Sequence, residues 1–496
     1  MKVQVHERFE SRLPADDANP YRTGAWRPQT VEWDAWDLDV EGEIPADLTG
    51  VYLRNTENPL LPPITTYHPF DGDGMLHSVS FGGGEARYAN RFVRTDAFLA
   101  EREAGESLWA GVAEAPATSL REDGWGARPR MKDASSTDIV VHRGTALSSF
   151  WMCGDLYRHD PVTLEALGRE DFGGRFPAEG VSAHPKVDER TGEMLFFNYG
   201  LEAPHLHYGE VAPDGSLQHY VDVELPGPRL PHDMAFTENY VVINDFPMFW
   251  HPGLMESGLY VPTFFPELPS RFAVVPRSTG SAAGAPIRWF EADPTYVLHF
   301  VNAYEEGDEI VLDGFFQHSP SLKSDRNSSF EENLYRYLDA TAFDARLHRW
   351  RFDLATGRCT EEALHDEVRE FGMINGRIAG LRHRYSYNAI PVNGWFGFRG
   401  ISKFDFETGT EETYELPDGV YASETAMAPR DGSTGEDDGY LVTITLDVER
   451  DESHCAVFDA ASIGSGPIAR IRLPERVSSG THACWAPADG SVQPGS

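Results

Sequence analysis

Four histidines in unlike sequence contexts have the chemistry of a shared metal site. They are His184 in SAHPK, His232 in PHDMA, His299 in LHFVN and His482 in THACW. The gaps between them are 48, 67 and 183 residues, which excludes finger-type sites with ligands three or four residues apart. Four neutral imidazoles leave a ferrous ion as a dication with two open octahedral positions, where dioxygen or a substrate can bind.

Only a closed fold that converges on one axis can gather ligands so far apart in the chain. Short β-branched and aromatic runs recur between turns, as in EMLFFNYG (193–200) and GYLVTITL (439–446), and such runs are typical of strands. Four turns share an Asp followed three residues later by Thr, and in three of them Gly comes next. This pattern favours outer hairpins of a β-propeller over a β-sandwich. The four turns begin at Asp160, Asp188, Asp353 and Asp405.

Composition restricts the class of protein. Acidic residues outnumber basic ones by 79 to 42, for a formal charge of −37, so a nucleic-acid partner is not expected. The four cysteines include no CxxC pair, which argues against zinc and disulfide frameworks. Neither a signal peptide nor an 18-residue apolar run is present. We therefore expect one soluble, cytoplasmic domain over residues 1–496.

Helical patterns are few, and one apolar segment stands out. Helices are expected within 95–111 and 328–345 and around 120–125. Residues 245–271 combine aromatic and aliphatic side chains with prolines. We interpret this stretch as an apolar surface segment, either a tunnel mouth or a patch that dips into a membrane surface, with a buried cap as the alternative.

Longer motifs resemble the carotenoid cleavage oxygenase family. The resemblance begins at GVYLRNTENP (50–59), continues through HPFDGDGMLHSVSF (68–81) and YANRFVRT (88–95), and then passes through all four histidine motifs in the family's order. It implies an all-β fold, a seven-bladed β-propeller with a helical and loop dome over the axial metal site. It also implies Fe(II) held by His184, His232, His299 and His482.

The same resemblance implies which carboxylates orient the metal ligands. A metal-bound imidazole needs its second ring nitrogen held, usually by a carboxylate. The family's glutamates map onto Glu370 in REFGMINGR and Glu424 in ASETAMAPR. A third family glutamate aligns with Cys153, and a thiol is a weaker acceptor than a carboxylate. One ligand is therefore expected to be oriented by backbone or water, unless this alignment is displaced by a residue or two.

The resemblance leaves the substrate open. The implied reaction uses O2 to split a conjugated carbon–carbon double bond of an apolar small molecule into two carbonyls. Stilbene-cleaving members pair a tyrosine with a lysine at the substrate phenol, and these positions are Phe98 and Lys132 here. The alternative for Lys132 is a buried stem whose ammonium pairs with an acid. Because Phe cannot donate that hydrogen bond, we favour a carotenoid or apocarotenoid over a hydroxystilbene or phenylpropene. Isomerohydrolysis of a retinoid ester and a noncatalytic binding scaffold are the remaining alternatives.

Overall fold

The computed structural model describes residues 1–123, 131–256 and 261–487, and most of their regular structure is strand. None of the helices in these ranges has the length and apolarity needed to cross a membrane. The helix expected around 120–125 falls partly outside the described residues, and its described part, 120–123, is not helical. The α-helices are α1 (Asp96–Ala104), α2 (Pro252–Met255) and α3 (Phe330–Arg336). Single 3-10 turns occur at Gly24–Trp26, Pro69–Asp71, Pro116–Thr118, Gly376–Ile378 and Ile463–Ser465.

The first half of the chain supplies strands to three antiparallel sheets. The strands are β1 (Lys2–Arg8), β2 (Val31–Trp36), β3 (Val40–Gly42), β4 (Gly50–Glu57), β5 (Gly74–Gly82), β6 (Glu85–Phe92), β7 (Asp138–His142), β8 (Thr145–Ser149), β9 (Tyr157–His159), β10 (Ala166–Arg169), β11 (Lys186–Asp188), β12 (Glu193–Tyr199), β13 (Leu206–Val211) and β14 (Leu217–Asp222). Sheet I has the order β1-β2-β6-β5-β4 and is completed by the last strand of the chain. Sheet II is β10-β9-β8-β7, and sheet III is β11-β12-β13-β14.

The second half builds three further sheets and a small hairpin. The strands are β15 (Ala235–Phe236), β16 (Tyr240–Asp245), β17 (Met248–Trp250), β18 (Pro262–Phe264), β19 (Ser270–Pro276), β20 (Arg288–Ala292), β21 (Phe300–Glu306), β22 (Glu309–Gln317), β23 (Ala345–Asp353), β24 (Cys359–Val368), β25 (Glu370–Met373), β26 (Tyr385–Pro391), β27 (Phe398–Asp405), β28 (Thr410–Glu415), β29 (Val420–Ala422), β30 (Ala426–Pro429), β31 (Gly439–Asp447), β32 (Glu452–Asp459), β33 (Pro467–Arg472) and β34 (Ala483–Pro487).

Sheet IV is β15-β16-β19-β20, and sheet V is β21-β22-β23-β24. Sheet VI follows β25-β26-β27-β29-β31-β32-β33-β3, with β28 paired to β27 and β30 paired to β31. Strands β17 and β18 pair with each other.

Neighbouring sheets contact one another in a series. Strand β34, near the end of the chain, pairs with β4 in sheet I, where Ala483 lies opposite Arg54. Sheet I contacts sheet II through β4 and β7, sheet II contacts sheet III through β7 and β11, and sheet IV contacts sheet V through β15 and β21. Sheets III and IV share one buried apolar cluster that includes Phe197 and Ile243. Strand β25 of sheet VI contacts β21, and β30 contacts β34, so the series returns to sheet I.

The repeated Asp turns are hairpins, and three of the four join outer strands as expected. Asp160, Asp353 and Asp405 connect β9 to β10, β23 to β24 and β27 to β28. Asp405 Oδ1 accepts hydrogen bonds from the backbone N–H groups of Glu407 and Thr408, which is how an Asp side chain stabilises a tight turn. Asp188 instead joins β11 to β12, at the inner side of sheet III. The residues of a turn therefore predict a hairpin but do not determine which pair of strands in a sheet it connects.

The β27–β28 turn allows a test of backbone conformation without a change in packing. Gly409 has φ of 68°, and a Cβ at this position would meet no heavy atom within 4 Å. The left-handed region costs a residue with a Cβ about 1–2 kcal/mol, so Gly409→Ala should lower the free energy of unfolding in urea by that amount. Gly82→Ala is the matched control, because Gly82 has equal open space and no positive φ. Equal losses in both variants would contradict this explanation.

Candidate metal centre

The structure brings the four distant histidines together. One nitrogen of each lies within 4.8 Å of those of the other three, and their exposed fractions are only 4–9%. His184 Nε2 and His232 Nε2 are 3.2 Å apart. Among the described residues, none gives His299 Nε2 a hydrogen-bond partner although this atom is buried. Such an unpaired nitrogen is costly unless something else occupies the space between the rings.

Each histidine occupies the same place in a different sheet. His299 and His482 immediately precede β21 and β34, His184 lies two residues before β11, and His232 lies three residues before β15. Just before a strand begins, the backbone is not yet hydrogen-bonded to a neighbouring strand. A side chain at that point can therefore turn toward the common centre. Each of four sheets therefore contributes one imidazole. The number of residues between two successive histidines is set by the sheet or sheets that the chain builds between them.

Two of the histidines are held by the expected glutamates. Glu370 begins β25, and its Oε2 lies 2.7 Å from His299 Nδ1. Glu424 lies two residues before β30, and its Oε2 is 3.3 Å from His482 Nδ1. Both glutamates are buried. A carboxylate on Nδ1 fixes that nitrogen as the N–H donor, which leaves the Nε2 lone pair free to bind a metal.

A third carboxylate, which the sequence reasoning missed, lies against His184. Asp138 begins β7, and its Oδ2 accepts a hydrogen bond from the backbone N–H of His184 at 3.1 Å and lies 3.4 Å from His184 Nδ1. His184 has φ of 64°, and the bond to Asp138 helps to hold this disfavoured conformation. The detectable signal was an acid directly before a β-branched run, in TDIVV.

Cys153 was the expected substitute for a third glutamate, and its thiol points elsewhere. The sulfur accepts a hydrogen bond from the backbone N–H of Tyr199 at 3.4 Å and lies 3.5 Å from the Tyr199 carbonyl oxygen. The nearby Trp151 ring lies 6.2 Å from the His232 ring, measured between centroids. The third carboxylate is thus supplied by the start of β7.

Burial sets the protonation of the cluster. It lowers the pKa of His232 to about 3 and holds the pKa values of His184 and His299 well below their usual range. Burial also lowers the pKa of His482, but the charge and hydrogen bond of Glu424 more than offset it, so that pKa is raised. Three of the imidazoles are neutral near pH 7, as metal ligands must be.

A cavity of about 210 Å³, here called the front cavity, opens on His232, His299 and His482. Its wall is mostly apolar. Met248, Trp250 and Pro262 of the apolar segment 245–271 line it. Of that segment, 257–260 lie outside the described residues, Trp250 is buried, and Val261 is 44% exposed. The remaining apolar wall residues are Phe70, Trp151, Leu230, Leu298, Leu338, Ala340, Phe343, Phe371 and Phe396.

The structure does not bring the two predicted pocket residues, Phe98 and Lys132, to the front cavity. Phe98 is buried on α1, and its ring packs against Phe92 with centroids 5.1 Å apart. Lys132 Nζ lies 2.7 Å from Asp73 Oδ1 and 2.9 Å from Glu101 Oε2. Burial lowers the pKa of Lys132, but these two carboxylates more than offset it, so that pKa is raised. The ammonium is therefore charged and is paired with two buried acids.

The donor set fits a divalent transition metal. Two nitrogen ligands at right angles, each about 2.1 Å from one ion, stand about 3.0 Å apart, close to the 3.2 Å between His184 Nε2 and His232 Nε2. Imidazole suits iron, copper, nickel and zinc alike. The fold and site together define a mostly β protein with a cluster of four histidines that could hold a metal at the end of a mostly apolar cavity.

Comparison with known proteins identifies the family. Residues 26–487 match the family described as retinal pigment epithelial membrane protein. The chain is 31% identical to carotenoid 9,10(9′,10′)-cleavage dioxygenase 1 of Phaseolus vulgaris, over 97% of this chain and 91% of that protein. It is also 31% identical to isoeugenol monooxygenase of Pseudomonas nitroreducens, over 96% and 99% of the two chains.

A solved structure agrees with the sequence comparisons. The lignostilbene dioxygenase of Pseudomonas brassicacearum superposes with a TM-score of 0.81 at 29% identity, over 95% of this chain and 99% of that one. The protein belongs to the carotenoid cleavage oxygenase family, the family of the retinal pigment epithelial membrane protein. It is an oxygenase.

Removing one carboxylate should weaken the metal centre without unfolding the protein. Glu370→Gln leaves His299 with a poorer partner, so metal affinity should fall by about 10- to 100-fold, measured by titration of the metal-free protein with Co²⁺. Asp138→Asn should act in the same direction through His184. The control is Glu306→Gln, at the exposed end of the strand that follows His299. Unchanged affinity in Glu370→Gln would show that Glu370 does not orient a ligand.

The placement of Lys132 predicts a loss of stability. Lys132→Met would leave Asp73 and Glu101 buried without their cation, and breaking a buried ion pair in this way costs about 3–5 kcal/mol. The loss should be seen as a lower urea midpoint. Lys2→Met is the control, because the Lys2–Asp37 pair is exposed. A Lys132→Met protein of normal stability would return Lys132 to the list of substrate-binding residues.

Proposed function

We propose that the protein is a non-haem Fe(II) dioxygenase that cleaves a conjugated carbon–carbon double bond of a carotenoid or apocarotenoid to give two carbonyl products. The observation that carries the proposal is the cluster of His184, His232, His299 and His482 at the end of the apolar front cavity. Iron held there would supply the activation of dioxygen that an unfunctionalised alkene requires.

The chain's own residues would position the substrate and the ligands. Glu370, Glu424 and Asp138 hold three of the imidazoles from behind. Phe371 packs against His299 and His482, with ring centroids 4.4 and 4.8 Å away, so both rings are fixed on their cavity side. The mostly apolar wall would exclude water and bind an extended apolar molecule by burying its surface.

We also propose that the sheets are the blades of a seven-bladed propeller. Sheets I to V would be one blade each, and sheet VI would be two, β25–β28 and β30–β33. Seven buried apolar clusters support this division, because each lies between two neighbouring units. The loops with α2 and α3 supply much of the front cavity wall and would form the dome.

The wall of the front cavity supports the polyene substrate. A pocket that cleaves the alkene of a phenolic substrate needs a polar pair at the phenol. Here Phe98 packs on Phe92, and Lys132 is bound to Asp73 and Glu101. The competing proposal is a hydroxystilbene or phenylpropene alkene. It is favoured by the relatives named isoeugenol monooxygenase and lignostilbene dioxygenase.

The deciding experiment is anaerobic reconstitution with Fe²⁺, followed by aerobic assays with an apocarotenal, a hydroxystilbene and isoeugenol. The carbonyl products are identified by mass spectrometry. We expect two carbonyl products from the apocarotenal and slower or no cleavage of the phenols. Faster cleavage of a phenol would favour the competing substrate. Stoichiometric iron without cleavage of any alkene would contradict the dioxygenase proposal.

Alanine variants connect the activity to the site. His184→Ala, His232→Ala, His299→Ala and His482→Ala should each lose bound iron and alkene cleavage together, because each removes one ligand. His6→Ala is the control, since His6 is exposed on β1. Wild-type turnover in any of the four variants would remove that residue from the proposed iron site.

A further inference from the structure

A second cavity, here called the rear cavity, meets the same histidines from the other side. Its volume is about 230 Å³, and His184, His299 and His482 line it. The front cavity touches Leu298 and Thr481, which precede two of these histidines, whereas the rear cavity touches Phe300 and Ala483, which follow them. Because the inner strands run away from the histidines, the two cavities lie on opposite sides of the cluster.

The rear cavity follows the inner strands toward the surface. Beyond Glu370, the strand β25 brings Met373 into its wall, and the following turn brings Gly376 and Ala379. These three residues are half-buried, and their neighbour Arg377 is exposed. The outer end of the rear cavity is therefore near solvent, and its inner end is at the metal ligands.

The two cavities differ in charge. Among the described residues that line the rear cavity, the ionisable groups other than the histidines and Cys484 are Asp138, Asp233, Glu424 and one cation, Lys186. Lys186 Nζ lies 2.7 Å from Asp233 Oδ1, with the Asp233 side chain 1% exposed and that of Lys186 28% exposed. The second oxygen of Asp233, Oδ2, accepts a hydrogen bond from the backbone N–H of Phe300 at 2.9 Å. The carboxylate is fixed, and the ammonium is its partner nearer to water.

We propose that the rear cavity is the path by which a hydrated divalent cation reaches and leaves the four histidines, with the Lys186–Asp233 ion pair as its gate. The inference rests on the proposed metal centre and adds the route of loading. The front cavity would serve the apolar substrate alone.

Solvation energy favours this route. A divalent cation gives up water only where polar ligand atoms replace it. The front cavity wall is mostly aromatic and aliphatic, and its carboxylate, Glu370, is held by His299, so passage there would offer the ion fewer charged ligands. Three carboxylates line the rear cavity: Asp138 and Glu424 beside His184 and His482, and Asp233 beside Lys186. An excess of negative charge along a narrow path raises the local concentration of cations.

The ion pair explains why the path would be regulated rather than open. The Lys186 ammonium repels a dication while it is bound to Asp233. Because the lysine side chain is partly exposed on a flexible stem, it can turn outward and free the carboxylate for the ion. The same contact, once restored, would slow escape of the bound metal.

The test compares one substitution placed in each cavity. Ala379 lines the rear cavity, and Ala340 lines the front cavity. Metal-free Ala379→Phe and Ala340→Phe proteins are mixed with Co²⁺, and uptake is followed by the cobalt absorption bands. Removal from the loaded proteins is then followed with a chelator. We expect Ala379→Phe to slow both rates by about 10-fold or more, and Ala340→Phe to leave both within about 2-fold of the parent.

A second variant tests the gate without depending on a larger side chain. Lys186→Gln removes the repelling charge, so cobalt uptake should be about 10-fold faster at low ionic strength, and this difference should shrink with added salt. Lys323→Gln, outside both cavity walls, is the matched control. Circular dichroism and melting temperature establish that each variant is folded.

The outcomes separate this inference from the metal centre itself. Slowing by Ala340→Phe equal to or greater than that by Ala379→Phe would overturn the rear route, as would unchanged rates in both folded variants. An uptake rate in Lys186→Gln equal to that of the parent would overturn the gate. Failure of the metal-free parent to bind cobalt at all would overturn the four-histidine centre, and with it the route.

Discussion

Four imidazoles from distant parts of the chain can share one ion only if the backbone brings each of them to a fixed point. In this protein the fixed points are the entries of β11, β15, β21 and β34, one in each of four sheets. Every sheet must pack correctly on its neighbours for the four nitrogens to lie within 4.8 Å. The buried apolar clusters between the sheets are thus what places the ligands.

The carboxylates behind the histidines follow from the same constraint. Asp138, Glu370 and Glu424 lie at or just before the first residues of β7, β25 and β30, so the other inner strands supply the partners of the ligands. A carboxylate buried without a partner is costly, and each of these three contacts a histidine. Seven strand entries therefore provide four ligands and three supports, and neither set is satisfied without the other.

Polarity divides the surroundings of the centre into two parts. Side chains that precede the ligands belong to loops and present mainly aromatic surface to the front cavity. Residues that follow the ligands lie on the strands, where Asp233 and Lys186 add charge to the rear cavity. An apolar alkene and a hydrated cation have opposite solvation requirements, and the fold offers each a separate approach to the same histidines.

The sequence indicated the four histidines of the cluster, because His184, His232, His299 and His482 each lie in a motif that is recognisable without the fold. It also indicated Glu370 and Glu424, the β-rich class and three of the outer hairpins, since turns and strand patterns are local. Asp138, the orientation of Cys153 and the ion pairs of Lys132 were decided only by tertiary structure. Each depends on which strands become neighbours, and that is set by packing between sheets distant in the chain. A motif identified Phe98 and Lys132 as residues. Whether each side chain faces a cavity or a buried partner depends on neighbouring elements that the local sequence does not encode.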